Sequence, residues 1–553
     1  CMPPVGNIAL ISQSGAICTA ILDYARGKHI GFSKFISVGN KACLGELELL
    51  RYLKDDPDTD VVLMYIEDLS HGREFIELAR DFAAKKKPIL VIKSGRTAQG
   101  AKAASSHTGS LMGSDEVYDA IFKQAGVIRV NSMEDLFDFA TAFAHQNLPN
   151  SNNTAIVTNA GGPGIMATDA CVQYGLEIAE LEESTISYFK ETLPAAANVY
   201  NPVDVIGDAQ SDRYKIVLER LIEDKNVDSI IALLTPQSMT DIENIARTIS
   251  EIDKKTEKPI VASFMGEVLV KPGITILEKD KIPHYTFPKS AAKAVSTMSK
   301  YKSWTERSYG AVESFSVDVD KVHDIIAKAR AAGKTFLTIN ESMDIFRAYK
   351  MPLLPYCFAS SREEALTHSK EVGYPMAMKI VSEDVIHKFD MGGVALNISS
   401  DEEMISTYDA MISGIKRKLP DANIEGVFMQ KMGAKGKEVI LGMNRDPQFG
   451  PVIMFGLGGI YVEALKDVSF MLAPLDDFSI RSMIKEIHAY AILEGIRGEK
   501  PVDFTMMIEC IKKLSQLSCD HPEIDEIDIN PLLAYEESLG AHVIDARIIL
   551  TEV

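Results

Sequence analysis

Pro88-Ile-Leu-Val-Ile-Lys-Ser-Gly-Arg-Thr-Ala-Gln-Gly-Ala101, followed closely by Ser105-Ser-His-Thr-Gly-Ser-Leu-Met-Gly113, decides how the front of this chain reads. The apolar run Ile89–Ile92 has the character of a strand buried on both faces of a parallel sheet. The glycine- and hydroxyl-rich loop behind it therefore sits at a strand's carboxyl end, where open α/β sheets collect their reactive groups. His107 lies in that loop among small residues. Small residues leave backbone N–H groups free to face an anion, and a neutral imidazole nitrogen is a nucleophile toward phosphorus. A loop histidine without chemistry is the bland reading of one such residue. The length of the surrounding pattern favours phosphoryl chemistry.

The same strand-then-helix alternation extends in both directions. Ile8–Ile11, Phe35–Val38 and Val61–Tyr65 read as strands between helical segments, and a helix is expected near Ser132–Gln146. That predicts a doubly wound parallel sheet over residues 1–148. Asn147-Leu-Pro-Asn-Ser-Asn-Asn153 is turn-rich, and the pattern restarts after it with Ala155–Thr158, Ser229–Leu234 and Pro259–Phe264. A second flavodoxin-like domain is expected over 149–305. Both halves open with an apolar strand, a small-residue turn and a helix. Ser14 and Gly15 stand in the first turn, and Gly161, Gly162 and Gly164 in the second. A helix amino terminus presents unpaired N–H groups and a partial positive charge, so both turns are candidate anion sites.

The charged stretch from Tyr301 to about Val317 reads as a linker, and residues 306–553 as this linker plus an α+β region. Strand Met376–Val381 leads through the loop Ser382–Gly393 to strand Val394–Ile398. Glu425–Met432 and Lys437–Met443 follow as a strand pair.

Composition narrows the class of protein. A chain of 553 residues exceeds one core, so three or four domains are expected. With 46% apolar residues and no apolar run of spanning length, no membrane role is expected. A net charge of −20 argues against nucleic acid as partner, because phosphate backbones select basic surfaces. Seven cysteines with no CxxC pair point to reduced thiols and a cytoplasmic enzyme.

The His107 loop resembles the phosphohistidine loop of the ADP-forming acyl-CoA synthetases, relatives of succinyl-CoA synthetase. Further blocks resemble the same family, in the family's order along nearly the whole chain. They are Gly6-Asn-Ile-Ala-Leu-Ile-Ser-Gln-Ser-Gly-Ala16, Ser37-Val-Gly-Asn40, Asn159-Ala-Gly-Gly-Pro-Gly164, Asn201-Pro-Val-Asp204, Asp446-Pro-Gln-Phe-Gly-Pro451, Phe455-Gly-Leu-Gly-Gly459 and Ile527-Asp-Ile-Asn-Pro-Leu532. The resemblance implies two flavodoxin-like doubly wound parallel-sheet domains followed by an α+β ATP-grasp domain. It also implies the reaction acid + CoA + ATP ⇌ acyl-CoA + ADP + phosphate, through an acyl phosphate and a phosphohistidine. The acid would be short: acetate, propionate or a hydroxy acid such as 4-hydroxybutyrate.

By the same resemblance His107 carries the phosphoryl group. Glu67, in Val62-Leu-Met-Tyr-Ile-Glu-Asp68, would orient its ring, and His387 would relay phosphoryl to the nucleotide. The family's usual Lys-Ser/Thr after that second histidine is replaced here by Lys388-Phe389. Lys379 would neutralise nucleotide phosphates, while Glu438, Gln430 and Met432 match the base side. Asp528 and Asn530 alternate onto one face of a strand. Asn530 and Asp545 would then bind Mg2+, with Asp528 meeting the visiting histidine or completing the metal shell.

After Ser37–Ala42 the family usually has aspartate where this chain has Cys43-Leu-Gly-Glu46, a departure that bears on a helix cap or a CoA contact. A CoA-binding domain normally precedes Gly6. It is expected to have been cleaved, deleted or carried on a separate chain, and the enzyme is expected to be a homodimer. The competing reading is the non-catalytic ligand-sensing module of a protein acetyltransferase, which lacks the active histidine.

Overall fold

Strand Val5–Ser12 carries Ile8, Ala9, Leu10 and Ile11, all essentially without solvent exposure, because helices cover both faces of its sheet. This computed structural model describes residues 3–39, 41, 44–97, 99, 115–307, 310–385, 388–459 and 467–551. The first sheet runs Phe32–Ser37, Val5–Ser12, Val61–Ile66, Ile89–Lys93, Ile128–Arg129, every pair parallel. That 2-1-3-4-5 order is the flavodoxin arrangement, with its switch point between the first and third strands.

The second sheet runs Ile260–Phe264, Ser229–Leu234, Asn153–Thr158, Glu177–Ile178, and Val203–Asp204 also pairs with Asn153–Thr158. It is parallel as well. The fold expected from the alternation is therefore present twice, and an ATP-grasp-like antiparallel unit follows.

Two compact units result: Cys1–Asp115 with Phe122–Arg307, and Glu116–Ile121 with Ser308–Val553. Within the first unit, helices Met133–His145, Gly161–Tyr174 and Pro288–Thr305 contribute to one apolar core shared with strands of both sheets. The expected linker from Tyr301 is corrected here. Tyr301 and Trp304 belong to the last turns of helix Pro288–Thr305 and are buried. The Trp304 ring lies so close to Gly126 that a Cβ there would fall 2.3 Å from it. Charged neighbours such as Lys300, Lys302 and Glu306 hid two buried aromatics from a compositional reading.

The second unit contains two antiparallel sheets. Four strands run Tyr356–Ala359, Gly426–Lys431, Met376–Val381, Val394–Ile398. The other sheet runs Phe336–Leu337, Ala546–Leu550, Ile524–Ala534, Lys437–Asp446, Gly450–Leu457, Val468–Leu472, with Ala541–Val543 also paired to Ile524–Ala534. Gly426–Lys431 and Lys437–Asp446 are thus not partners, contrary to the strand pair expected from their spacing. The short connection crosses from one sheet to the other: Met432 N–H donates to Pro375 O at 2.9 Å, on the smaller sheet's side. Local spacing does not distinguish a hairpin from such a crossing.

Candidate active site

Three strand ends of the first sheet carry Gln13 after Ser12, Glu67 with Asp68 after Ile66, and Lys93, the last residue of its strand, with Ser94 after it. Buried Gln13 braces them. Its Oε1 accepts from Glu67 N–H at 2.6 Å and Asp68 N–H at 3.2 Å, and its Nε2 donates to Asp68 O at 2.9 Å and to the Glu46 carboxylate. Glu67 is therefore held at its backbone at the sheet's carboxyl end.

Glu46, the residue at the departure from the family pattern, is itself buried. Lys41 Nζ pairs with it at 3.2 Å and with Asp68 at 2.8 Å. The helix that Glu46 begins, Glu46–Asp55, has its Gly45 N–H capped by Glu48 Oε2 at 2.9 Å. The glutamate thus tightens the strand-end cluster, and a separate residue makes the cap. Lys93 is buried in the same neighbourhood, and burial lowers its ammonium to about 8. His107 and His387 lie outside the described residues.

Ser14 caps helix Gly15–Gly27 through Ile17 N–H at 3.4 Å, and a Cβ on Gly15 would meet no atom of the described residues within 4 Å. In the second turn Gly162 is equally open. At Gly161, a Cβ would lie 3.6 Å from Asp204 Oδ2, so a carboxylate of the protein already faces this helix start. Gly164 packs instead: its Cβ would sit 3.2 Å from Thr158 Cγ2 and 3.5 Å from Pro202 Cβ. In the same block as Asp204, Asn201 clamps strands, accepting from Ile156 N–H at 2.9 Å and donating to Thr154 O at 2.8 Å and Ala179 O at 3.0 Å.

In the second unit, a cavity of about 620 Å3 opens between strands of the two antiparallel sheets. Lys379, Lys388, Asp528, Asn530, Asp545 and Arg547 all line it. Register explains the convergence. Asp528 stands opposite Arg547 and Ile529 opposite Ala546, so Asn530 comes level with Asp545, whose carbonyl accepts Asn530 N–H at 3.1 Å. Asp528 and Asn530, two residues apart, then share a face.

Lys379, buried, donates to Asp545 Oδ2 at 2.9 Å and Ile544 O at 3.1 Å. Burial lowers the Lys388 ammonium against the nearby Asp545 charge, with Lys379 adding to the lowering. Among the described residues Asp528 Oδ1 is buried without a hydrogen-bond partner; burial first, then Glu526 and Asp545, push its carboxyl up. Hard oxygens and two lysines lining one cavity make an arrangement chemically suited to a cation and a polyanion.

The base-side residues do not line this cavity. Gln430 is buried and reaches Val543 O at 3.5 Å. Glu438 faces the Gly458-Gly459 turn, where a Cβ on Gly459 would come within 2.9 Å of its Oε2. Met432 sits at the crossing between sheets. Gln13, Lys41, Lys93, Lys388 and Arg547 were not singled out from sequence. A lysine closing an all-apolar strand was the available signal for Lys93. Nothing local marked Gln13, whose partners lie more than thirty residues away.

Two flavodoxin-like sheets ahead of an antiparallel unit whose cavity collects lysines and oxygen donors define an ATP-grasp acid–thiol ligase. Residues 5–143 match the Succinyl-CoA ligase like flavodoxin domain, 154–311 the Ligase-CoA domain and 328–550 the ATP-grasp domain. The chain belongs to the ADP-forming acyl-CoA synthetase family.

It is 42% identical over 550 residues to the 4-hydroxybutyrate–CoA ligase [ADP-forming] of Nitrosopumilus maritimus, covering 99% of this chain and 78% of that protein. It is also 42% identical over 551 residues to the acetate–CoA ligase [ADP-forming] I of Archaeoglobus fulgidus, covering 100% and 78%. Among solved structures, Ca. Korarchaeum cryptofilum dinucleotide forming acetyl-coenzyme A synthetase 1 in complex with phosphate and ADP aligns with TM-score 0.53 at 34% identity, over 56% of this chain and 68% of that one. These relatives are ligases, and none of them supports the ligand-sensing alternative. Among the described residues, no helix is long and apolar enough to cross a membrane.

Proposed function

We propose that this enzyme joins a short carboxylic acid to CoA, with acetate, propionate and a hydroxy acid such as 4-hydroxybutyrate as the candidate acids. The relatives named for acetate and 4-hydroxybutyrate support that range. The observation that carries the reading is the convergence of Lys379, Lys388, Asp528, Asn530 and Asp545 on one cavity.

Lys379 and Lys388 neutralise the nucleotide phosphates, and Asn530 and Asp545 hold Mg2+, with the bare Asp528 oxygen completing its shell or meeting the histidine. The donor set fits such an ion: all are hard oxygens, one of them buried and unpartnered. Bound there, Mg2+ supplies charge neutralisation for phosphoryl transfer. Glu438, Gln430 and Met432 serve the base side.

In the synthetic direction, an N–P bond forms at the histidine as the bond from Pγ to the β-phosphate oxygen breaks, and ADP leaves. His387 receives the group first, and His107 carries it to the acid. The carboxylate then takes the phosphoryl group, and the CoA thiolate displaces phosphate from the acyl phosphate. Glu67, fixed through Gln13, accepts a hydrogen bond from the His107 ring N–H and holds the tautomer. The helix starts at Ser14–Gly15 and Gly161–Gly164 line the phosphoryl path. Functional domains are taken as 1–148, 149–305 and 306–553. A CoA-binding domain, in the same polypeptide or a companion, completes the acyl site. The enzyme acts in the cytoplasm as a homodimer.

Mg2+-dependent exchange of label between ADP and ATP tests this without requiring CoA. Exchange is expected in the wild-type protein, and Lys379→Met is expected to slow it by roughly 100-fold or more. Release of AMP and pyrophosphate in place of exchange would contradict the reading.

A further inference from the structure

Away from the nucleotide cavity, the second unit holds a sulfur, a nitrogen and a carboxylate oxygen in one place. Among the described residues, Cys357, His368 and Glu371 bring Sγ, a ring nitrogen and a carboxylate oxygen all within 4.8 Å of one another. Cys357 comes from strand Tyr356–Ala359, at one edge of the four-stranded sheet. His368 and Glu371 come from helix Arg362–Val372, three residues apart and hence on one face.

Glu371 Oε2 is 3.6 Å from Cys357 Sγ and 3.7 Å from His368 Nδ1. His368 Nδ1 is screened from solvent yet has no hydrogen-bond partner among the described residues. With metal–sulfur near 2.3 Å and metal–nitrogen or –oxygen near 2.0–2.2 Å, tetrahedral zinc ligands stand about 3.3–3.6 Å apart. Both separations from Glu371 Oε2 are within a few tenths of an ångström of that spacing, and the third lies under 4.8 Å.

We propose that Cys357, His368 and Glu371 form a site for a borderline divalent cation, Zn2+ by chemistry, with a fourth position open to water. A thiolate and an imidazole select Zn2+ over Mg2+, which prefers all-oxygen shells. The site is therefore distinct from the oxygen-lined nucleotide cavity. Arg347, stacked over the Tyr356 ring at 4.2 Å, adds a nearby positive charge that favours the thiolate. Binding expels the thiol proton, which burial and Glu371 otherwise retain. Its effect is to pin the edge strand to the helix that covers it.

The test uses untagged, chelator-stripped protein titrated with Co2+ and Zn2+ in millimolar Mg2+. One equivalent of Co2+ is expected to produce a thiolate-to-metal charge-transfer band that Zn2+ displaces and Mg2+ does not. Cys357→Ser should abolish the band. His368→Gln should weaken Co2+ binding at least as much as loss of a supporting partner does, roughly 10–100-fold. Cys519→Ser should leave both band and affinity intact. Absence of the band in wild-type protein, its survival in Cys357→Ser, or its loss on adding Mg2+ would overturn the proposal.

Discussion

At the carboxyl end of the first parallel sheet, polar groups engage one another, whereas in the antiparallel unit's cavity one buried carboxylate oxygen has no partner among the described residues. Gln13 alone engages Glu67, Asp68 and Glu46, and Lys41 spans Glu46 and Asp68. In the cavity Lys379 and Asp545 pair, but among the described residues Asp528 keeps a buried oxygen without partner, and burial lowers the Lys388 ammonium. The first arrangement fixes the Glu67 backbone, as the proposed orientation of a histidine requires. The second gathers lysines and hard oxygens on one cavity, as the proposed binding of a nucleotide and a cation requires.

Removing the brace is expected to have the largest effect on stability. Gln13→Leu strands two N–H groups and leaves the buried Glu46 carboxylate to Lys41 alone, for a predicted loss of about 2–4 kcal/mol in urea unfolding. A loss under about 0.5 kcal/mol would mean the cluster is not braced as described.

Asp138 sharpens the comparison from within the first unit, because burial lifts its carboxyl to about 6. Between about pH 4 and pH 6 the folded protein keeps a proton that the unfolded chain releases, so stability falls as pH rises through that window. Asp138→Asn should flatten that slope and raise stability at pH 7 by about 1–3 kcal/mol. An unchanged pH profile would contradict the assignment.

The smallest stability effect is expected in the cavity. Asp528→Asn relieves a strained charge and should change unfolding stability by less than about 1 kcal/mol while slowing nucleotide exchange. A large stability loss would show that Asp528 is a structural residue.

The parallel sheets were legible because buried strands such as Ser229–Leu234 are continuous apolar runs with glycine turns behind them. The cavity was legible in part, since alternation alone put Asp528 and Asn530 on one face. Residues acting across long sequence separations were not. Gln13 reaches Asp68 fifty-five positions on, and Lys379 reaches Asp545 one hundred and sixty-six positions on. Nothing in either neighbourhood announces the partner. The same distance hid the separation of Gly426–Lys431 from Lys437–Asp446, whose true partners lie elsewhere in the chain.

The central claim is that ATP loads a phosphoryl group onto His107. Incubation with γ-labelled ATP and Mg2+ should leave an acid-labile, base-stable label on the wild-type protein, absent from His107→Ala and reduced in His387→Ala. A wild-type protein that binds nucleotide without acquiring label, or a label that persists in His107→Ala, would contradict it.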